Sequence, residues 1–129
     1  MRGMVWFRTD IRVDDNPALT SAMNQCEEIV GIYIFSQTQW EIHNESNIKH
    51  EFLLRNLDKL KDSLQELNVP LVAFNSDSYR TLPQDLSSFA SKNKIDHVFC
   101  NNEFGINETK RDKNSSDLLK KQGIQFSSF

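Results

Sequence analysis

With 129 residues, the chain is long enough for one domain with a real core and too short for two of ordinary size. Its 38% hydrophobic and 26% charged residues exclude an intrinsically disordered chain. A formal net charge of -3 argues against a strong binder of the nucleic-acid backbone, which needs a basic face, while leaving room for a local basic patch.

In chain order, Met4 to Phe7 is a short apolar run of strand formers. The stretch "WFRTDIRVDDNPAL" then spends eight residues, Arg8 to Asp15, before Asn16 caps a helix. Pro17 takes the first helical position, where a missing N–H costs nothing. Leu19, Ala22 and Met23 share one face of that helix. Ile29 to Phe35 is a second strand. Ile48, Phe52, Leu53, Leu57, Leu60, Leu64 and Leu67 then follow three-and-four spacing, the mark of a long amphipathic helix with Asn68 as its stop. Pro70 introduces a third strand, Leu71 to Phe74. Pro83 opens a third helix with Leu86, Phe89 and Ala90 inward. Val98 to Cys100 is a fourth strand. A mostly polar helix runs from about Asn107, as its cap, to Gln122, ends at Gly123 and leans on Leu118 and Leu119. Ile124 to Phe126 is a weaker fifth strand.

Continuous apolar runs separated by helices predict parallel strands buried on both faces. The expected fold class is α/β, a three-layer Rossmann-like doubly wound sheet of five parallel strands in the order 3-2-1-4-5. The whole chain reads as one domain. It halts just after the fifth strand, so it reads as the first part of a longer protein. The N-terminus enters a strand directly, without a signal peptide, and no apolar run approaches the ~20 residues of a membrane helix. A cytoplasmic protein is expected. Cys26 and Cys100 lie far apart with no Cys or His cluster, so two reduced thiols are expected and no metal site.

In a doubly wound sheet, ligands sit beyond the carboxyl ends of the strands where strand order reverses, here between strands one and four. Three polar loops emerge on that edge. One carries Arg8, Asp10, Arg12 and Asp15. The second, "SQTQWEIHNESN", carries Trp40, His43 and Asn44. The third, "NNEFGINETKRD", carries Asn101, Asn102, Glu103, Asn107 and Glu108. No glycine-rich phosphate loop is present, and Ser36 with His43 lacks an elbow motif. The edge therefore reads as a binding face, with no catalytic set.

Each residue there also has a plainer reading. Glu108 is either a first-turn carboxylate favoured by the helix dipole, or a bidentate acceptor for a flat heterocycle with adjacent N–H donors, as a pterin has. Trp40 is a stacking platform or ordinary packing. His43 is a surface or capping histidine unless it borders a ligand. Arg8 with Asp10 can be a loop-ordering ion pair, worth little if exposed.

Three of these stretches together resemble the DNA photolyase and cryptochrome family: "WFRTDIRVDDNPAL", "QWEIHN" and "NEFGINETKRD". They are most similar to folate-type cyclobutane-dimer photolyases, and the resemblance covers essentially the whole chain. It implies the family's N-terminal α/β domain, which helps hold an antenna pigment, often methenyltetrahydrofolate. A larger helical domain, absent here, would hold FAD and the DNA lesion. Asn107 and Glu108 match the pair that contacts the pterin, and Trp40 and His43 match a segment beside it. Arg8, Asp10, Arg12, Asp15 and Asn16 would order the sheet edge facing the helical domain. Phe104 stands where the family commonly has Tyr, and Gly105 should loosen that loop. The resemblance implies that the chain alone does not repair DNA and is a monomer or weak dimer with an exposed apolar face. A cryptochrome photoreceptor domain and a stand-alone α/β interaction module are the alternatives.

Overall fold

The computed structural model describes residues 1–36 and 47–129. Five parallel strands form one sheet in the order β3-β2-β1-β4-β5. They are β1 (Arg2–Phe7), β2 (Glu28–Ser36), β3 (Leu71–Ser76), β4 (His97–Cys100) and β5 (Gln125–Ser128). The helices between them are α1 (Pro17–Gln25), α2 (Asn47–Glu66), α3 (Leu82–Lys92) and α4 (Ile106–Lys121).

The central strand explains the layers. Met4, Val5, Trp6 and Phe7 are all buried, and successive side chains of a strand point to opposite faces. Val5 and Phe7 join α1 and α2 through Ala18, Leu19, Ala22, Leu57, Leu60 and Leu64. Met4 and Trp6 join α3 and α4 through Leu82, Leu86, Ala90 and Leu119. Gly31 faces Val5 across β1 and β2, and a Cβ there would meet the Phe7 ring at 3.0 Å, so the missing side chain makes room for Phe7.

The helix ends follow the local chemistry. Asn16 accepts a hydrogen bond from the Leu19 N–H at 3.1 Å and caps α1. Asn68 takes the left-handed conformation (φ 61°) just past α2, while the Val69 N–H returns to the Leu64 carbonyl. Gly123 (φ 76°) does the same after α4.

Four expectations are corrected. The α4 cap is Gly105, one residue before Ile106, so Asn107 stands inside the first turn. Met23 is exposed, because the short α1 buries only Ala18, Leu19 and Ala22. Ile48, Phe52 and Leu67 are exposed despite their spacing. The stripe of α2 that meets the core runs through Leu53, Leu57, Leu60 and Leu64; Ile48 and Phe52 lie roughly 100° or more round the helix from it, and Leu67 lies past the helix end at Glu66. Finally, the edge strands β3 and β5 are not buried on both faces: Val72 and Ala73 are exposed in β3, and no residue of β5 is fully buried.

Candidate functional site

The carboxyl ends of β1 and β4, with the first turns of α1 and α4, form one polar edge. Nine residues, Arg8 to the cap Asn16, separate β1 from α1. Those residues bond to the segment that follows β4. Asp10 accepts the Arg8 backbone N–H at 2.8 Å and the Asn101 side-chain amide at 2.5 Å. The same Asn101 amide donates to the Asn16 cap at 2.8 Å, and Asn101 Oδ1 accepts from the Ala18 N–H at 3.0 Å. Asn16 in turn donates to the Arg12 carbonyl at 2.9 Å. One amide, on the residue just after β4, thus locks the loop and the start of α1 together. Arg8, Asp10 and Asn16 are buried. Arg12 and Asp15 are exposed, with the Arg12 guanidinium on the Asp15 carbonyl at 3.2 Å and Asp15 at φ 50°.

Beside this lock lies a closed ring of four charges. The Arg8 guanidinium donates to both Asp112 oxygens, at 2.7 and 3.2 Å, and to the Asn101 carbonyl. Arg111 donates to Asp112 at 3.0 Å and to Glu103 at 2.6 Å. Glu103 closes the ring 3.9 Å from Arg8 Nε and also accepts from the Thr9 hydroxyl at 2.8 Å. Arg8 therefore does not pair with Asp10 through its guanidinium; Asp112 and Glu103 are its partners. The buried Trp6 indole is the floor, with Arg8 4.4 Å and Arg111 5.1 Å from its centre, and Arg111 also lies 4.9 Å from the Tyr79 ring.

The electrostatics follow from that geometry. Burial alone would raise the Glu103 carboxyl, but the Arg111 and Thr9 hydrogen bonds and the Arg8 charge outweigh it and hold it below its ordinary range. Burial would lower Arg111, and its bond to Glu103 with the Asp112 charge raises it instead. Burial pushes the Tyr33 phenol up to about 12. Both cysteines are free and buried; burial raises Cys26 and pushes Cys100 up to about 12, which leaves unreactive thiols.

The first turn of α4 projects from this edge. Asn107 is exposed and Glu108 half-buried. Phe104 and Ile106 flank them, 89% and 78% exposed. The Glu108 carboxylate folds back over Gly105: a Cβ on that glycine would stand 1.9 Å from Oε2. Gly105 is thus the seat of the carboxylate rather than a loose link. Trp40 and His43 lie outside the described residues, and Ser36 is buried at the end of β2.

Two participants, Arg111 and Asp112, carried no role in the sequence reading. Their signal was present as an Arg-Asp pair one turn after Glu108. Only the fold shows that it returns to Arg8.

The exposed Asn107 amide and the half-buried Glu108 carboxylate are successive residues of this first turn, with the exposed Phe104 ring in the loop before them. No group of His, Cys, Asp and Glu suited to a metal ion occurs among the described residues. Nor, among them, is any helix long and apolar enough to cross a membrane.

Strand order 3-2-1-4-5 with polar loops gathered above β1 and β4 defines a doubly wound, Rossmann-like α/β domain. The family profile for DNA photolyase matches residues 4–129. The deoxyribodipyrimidine photo-lyase of Vibrio cholerae is 33% identical over 126 residues, covering 98% of this chain and 27% of that protein. Cryptochrome-1 of Arabidopsis thaliana is 28% identical over 127 residues, covering 98% of this chain and 18% of that protein. The archaeal photolyase from Sulfolobus tokodaii, solved with two FAD molecules, superposes with a TM-score of 0.85 at 25% identity, covering 100% of this chain and 29% of that one. The chain belongs to the DNA photolyase family, as its N-terminal α/β domain. It spans about a quarter of the length of the photo-lyases it matches.

Proposed function

We propose that this chain is the antenna-binding domain of a deoxyribodipyrimidine photolyase, the light-driven flavin enzyme that repairs cyclobutane pyrimidine dimers. The observation that carries the reading is Glu108, a half-buried carboxylate beside the exposed Asn107 amide, at the strand-order reversal where doubly wound sheets bind ligands. On this reading the pigment is methenyltetrahydrofolate. Glu108 would accept from adjacent N–H donors of its pterin, Asn107 would bond beside it, and Trp40 and His43 would border the same site. When bound, the pigment supplies absorption of near-ultraviolet or blue light and passes excitation to FAD.

FAD, the DNA lesion and all bond-making chemistry belong to a helical domain of the parent protein, and this chain by itself is inactive in repair. Arg8, Asp10, Arg12, Asp15 and Asn16 order the edge that faces that domain. The parent works in the cytoplasm, and the isolated domain is a monomer or weak dimer. A blue-light photoreceptor domain is the second reading, favoured by the likeness to Cryptochrome-1. A dimer-repair assay on the full-length parent separates the two.

The test of the pigment site is a titration of methenyltetrahydrofolate into this chain and into Glu108→Gln, read by visible absorbance and fluorescence. Saturable binding, weakened at least tenfold by the substitution, is the expected result, since a charge-assisted bond contributes about 1.5–3 kcal/mol. Saturable FAD binding in place of folate would keep the antenna site and overturn the pigment. Equal binding by both proteins would remove Glu108 from the site.

A further inference from the structure

We propose that Arg111 is the positioning residue of the Asn107–Glu108 edge, holding the first turn of α4 in the pose that presents Glu108 to a ligand. The inference rests on the pigment-site reading for its ligand and on geometry for its mechanism. Arg111 follows Asn107 by four residues and Glu108 by three, so all three lie on one side of α4. It is buried, and it faces two ways. One nitrogen reaches Glu103, in the loop before the helix, at 2.6 Å; another reaches Asp112, on the helix itself, at 3.0 Å. Asp112 is tied to Arg8 on the β1 side, and Glu103 to Thr9. The loop Asn101 to Gly105 is therefore pinned at its first residue and at its middle: Asn101 is bonded to Asp10, and Glu103 to Arg111. Gly105, the seat of Glu108, lies between the second pin and the helix. The exposed Phe104 and Ile106 contribute little packing, which leaves this pin to fix the turn.

A lysine can satisfy only one direction, and a glutamine removes the charge that joins Glu103 to Asp112, leaving Arg8 as the one cation of the ring. Amide hydrogen exchange on this chain reads the consequence without a ligand. The Thr109 N–H, bonded to the Gly105 carbonyl at 2.8 Å, reports the first turn; Gly31 and Asp96, bonded at 2.8 Å within the sheet, report the fold. Arg111→Gln is expected to speed exchange at Thr109 by about tenfold or more, as loss of a charged hydrogen bond would, with Gly31 and Asp96 unchanged. Arg111→Lys is expected to fall between that variant and the parent chain, and it serves if Arg111→Gln does not fold. Methenyltetrahydrofolate affinity should fall in the same order. Uniform acceleration at all three amides, or none at Thr109, overturns the proposal. Localised acceleration in a chain that does not bind folate leaves Arg111 as the pin of the turn and overturns the pigment reading alone.

Discussion

Replacing Asn101 by Asp changes one atom at the junction of β1, β4 and α1. Asn101 Oδ1 accepts a backbone N–H, which can only donate, so the amide orientation is fixed: its nitrogen faces Asp10 Oδ2 at 2.5 Å and Asn16 Oδ1 at 2.8 Å. Asn101→Asp keeps the bond from Ala18 and turns the donor into an oxygen facing two acceptors. If the new carboxyl ionised, it would meet the Asp10 carboxylate with a repulsion of about 4 kcal/mol at ~4 Å and an effective dielectric constant near 20. It would also forfeit the charge-assisted bond, about 1.5–3 kcal/mol. Holding its proton costs less: about 1.4 kcal/mol per pH unit above the unfolded value near 3.9. The folded-state pKa of the introduced group is raised, so the variant approaches parental stability below about pH 4 and loses it as pH rises. The loss should be roughly 1.5 kcal/mol at pH 5 and roughly 4 kcal/mol at pH 7. Asn101→Ala, which removes the partner without adding charge, should cost about 2–4 kcal/mol from several unsatisfied groups, with no added pH slope. Urea unfolding of the three proteins at both pH values measures this. A loss below 1 kcal/mol at pH 7, or one that does not grow from pH 5 to 7, would refute the placement of that amide.

Two other perturbations probe separate parts of the molecule. Gly105 has φ -65° and ψ 155°, a conformation that alanine adopts freely. Gly105→Ala should therefore cost at most about 1 kcal/mol in urea unfolding, yet its Cβ must displace the Glu108 carboxylate, and methenyltetrahydrofolate affinity should fall several-fold; unchanged affinity would mean that this pose of Glu108 is not the binding pose. His97 is buried, bonded through Nε2 to the Ser127 hydroxyl at 2.7 Å, with no partner for Nδ1 among the described residues, and burial lowers its pKa below 6.5. The unfolded chain takes up that proton first, so stability should fall as pH drops from about 6.5 toward the folded value, at up to about 1.4 kcal/mol per unit. His97→Gln should lose this slope between pH 7.5 and 5.5, and an equal slope in both proteins would place its source elsewhere.

The fold was legible because the main signals are local. Met4 to Phe7 and Ile29 to Phe35 are runs with one physical solution, and Asn16-Pro17 and Gly123 punctuate helices by their own backbone chemistry. Spacing within a helix says which residues share a face, yet not whether the sheet reaches them. Ile48 and Phe52 are four residues apart and still exposed, because the stripe that meets the sheet is Leu53, Leu57, Leu60 and Leu64, and only the packing shows which stripe that is. The same limit hid the charge ring. Arg8 and Asp112 are 104 residues apart, and a pairing at that separation exists only once β4 lies against β1. Glu108 stood out by type and position, but its seat on Gly105 depends on where α4 begins. The capping preference of Asn had placed that start at residue 107, and the backbone instead begins the helix at Ile106 behind a glycine without a side-chain cap.

A ring of two guanidiniums and two carboxylates is an expensive way to fill a sheet edge. Desolvating such charges can offset their attraction, and apolar residues of equal volume often do as well for stability. What the ring supplies is direction. Apolar side chains tolerate sliding, whereas the Arg8 fork on Asp112 and the two-way Arg111 admit only one rotation of α4 about its axis. Trp6 beneath them fixes the planes of both guanidiniums, since each keeps its attraction to the ring only while it stays near the indole face. A helix that serves only to cover a sheet has no need of this. On the proposed reading the first turn of α4 presents one carboxylate at a set place, and α4 carries its ring one turn behind Glu108. The two halves of the edge then divide the work. The Asn101 lock holds the loop after β1 and the start of α1, and the charge ring transmits that fixed frame to α4. Residues 8 to 15 are long because they must reach both.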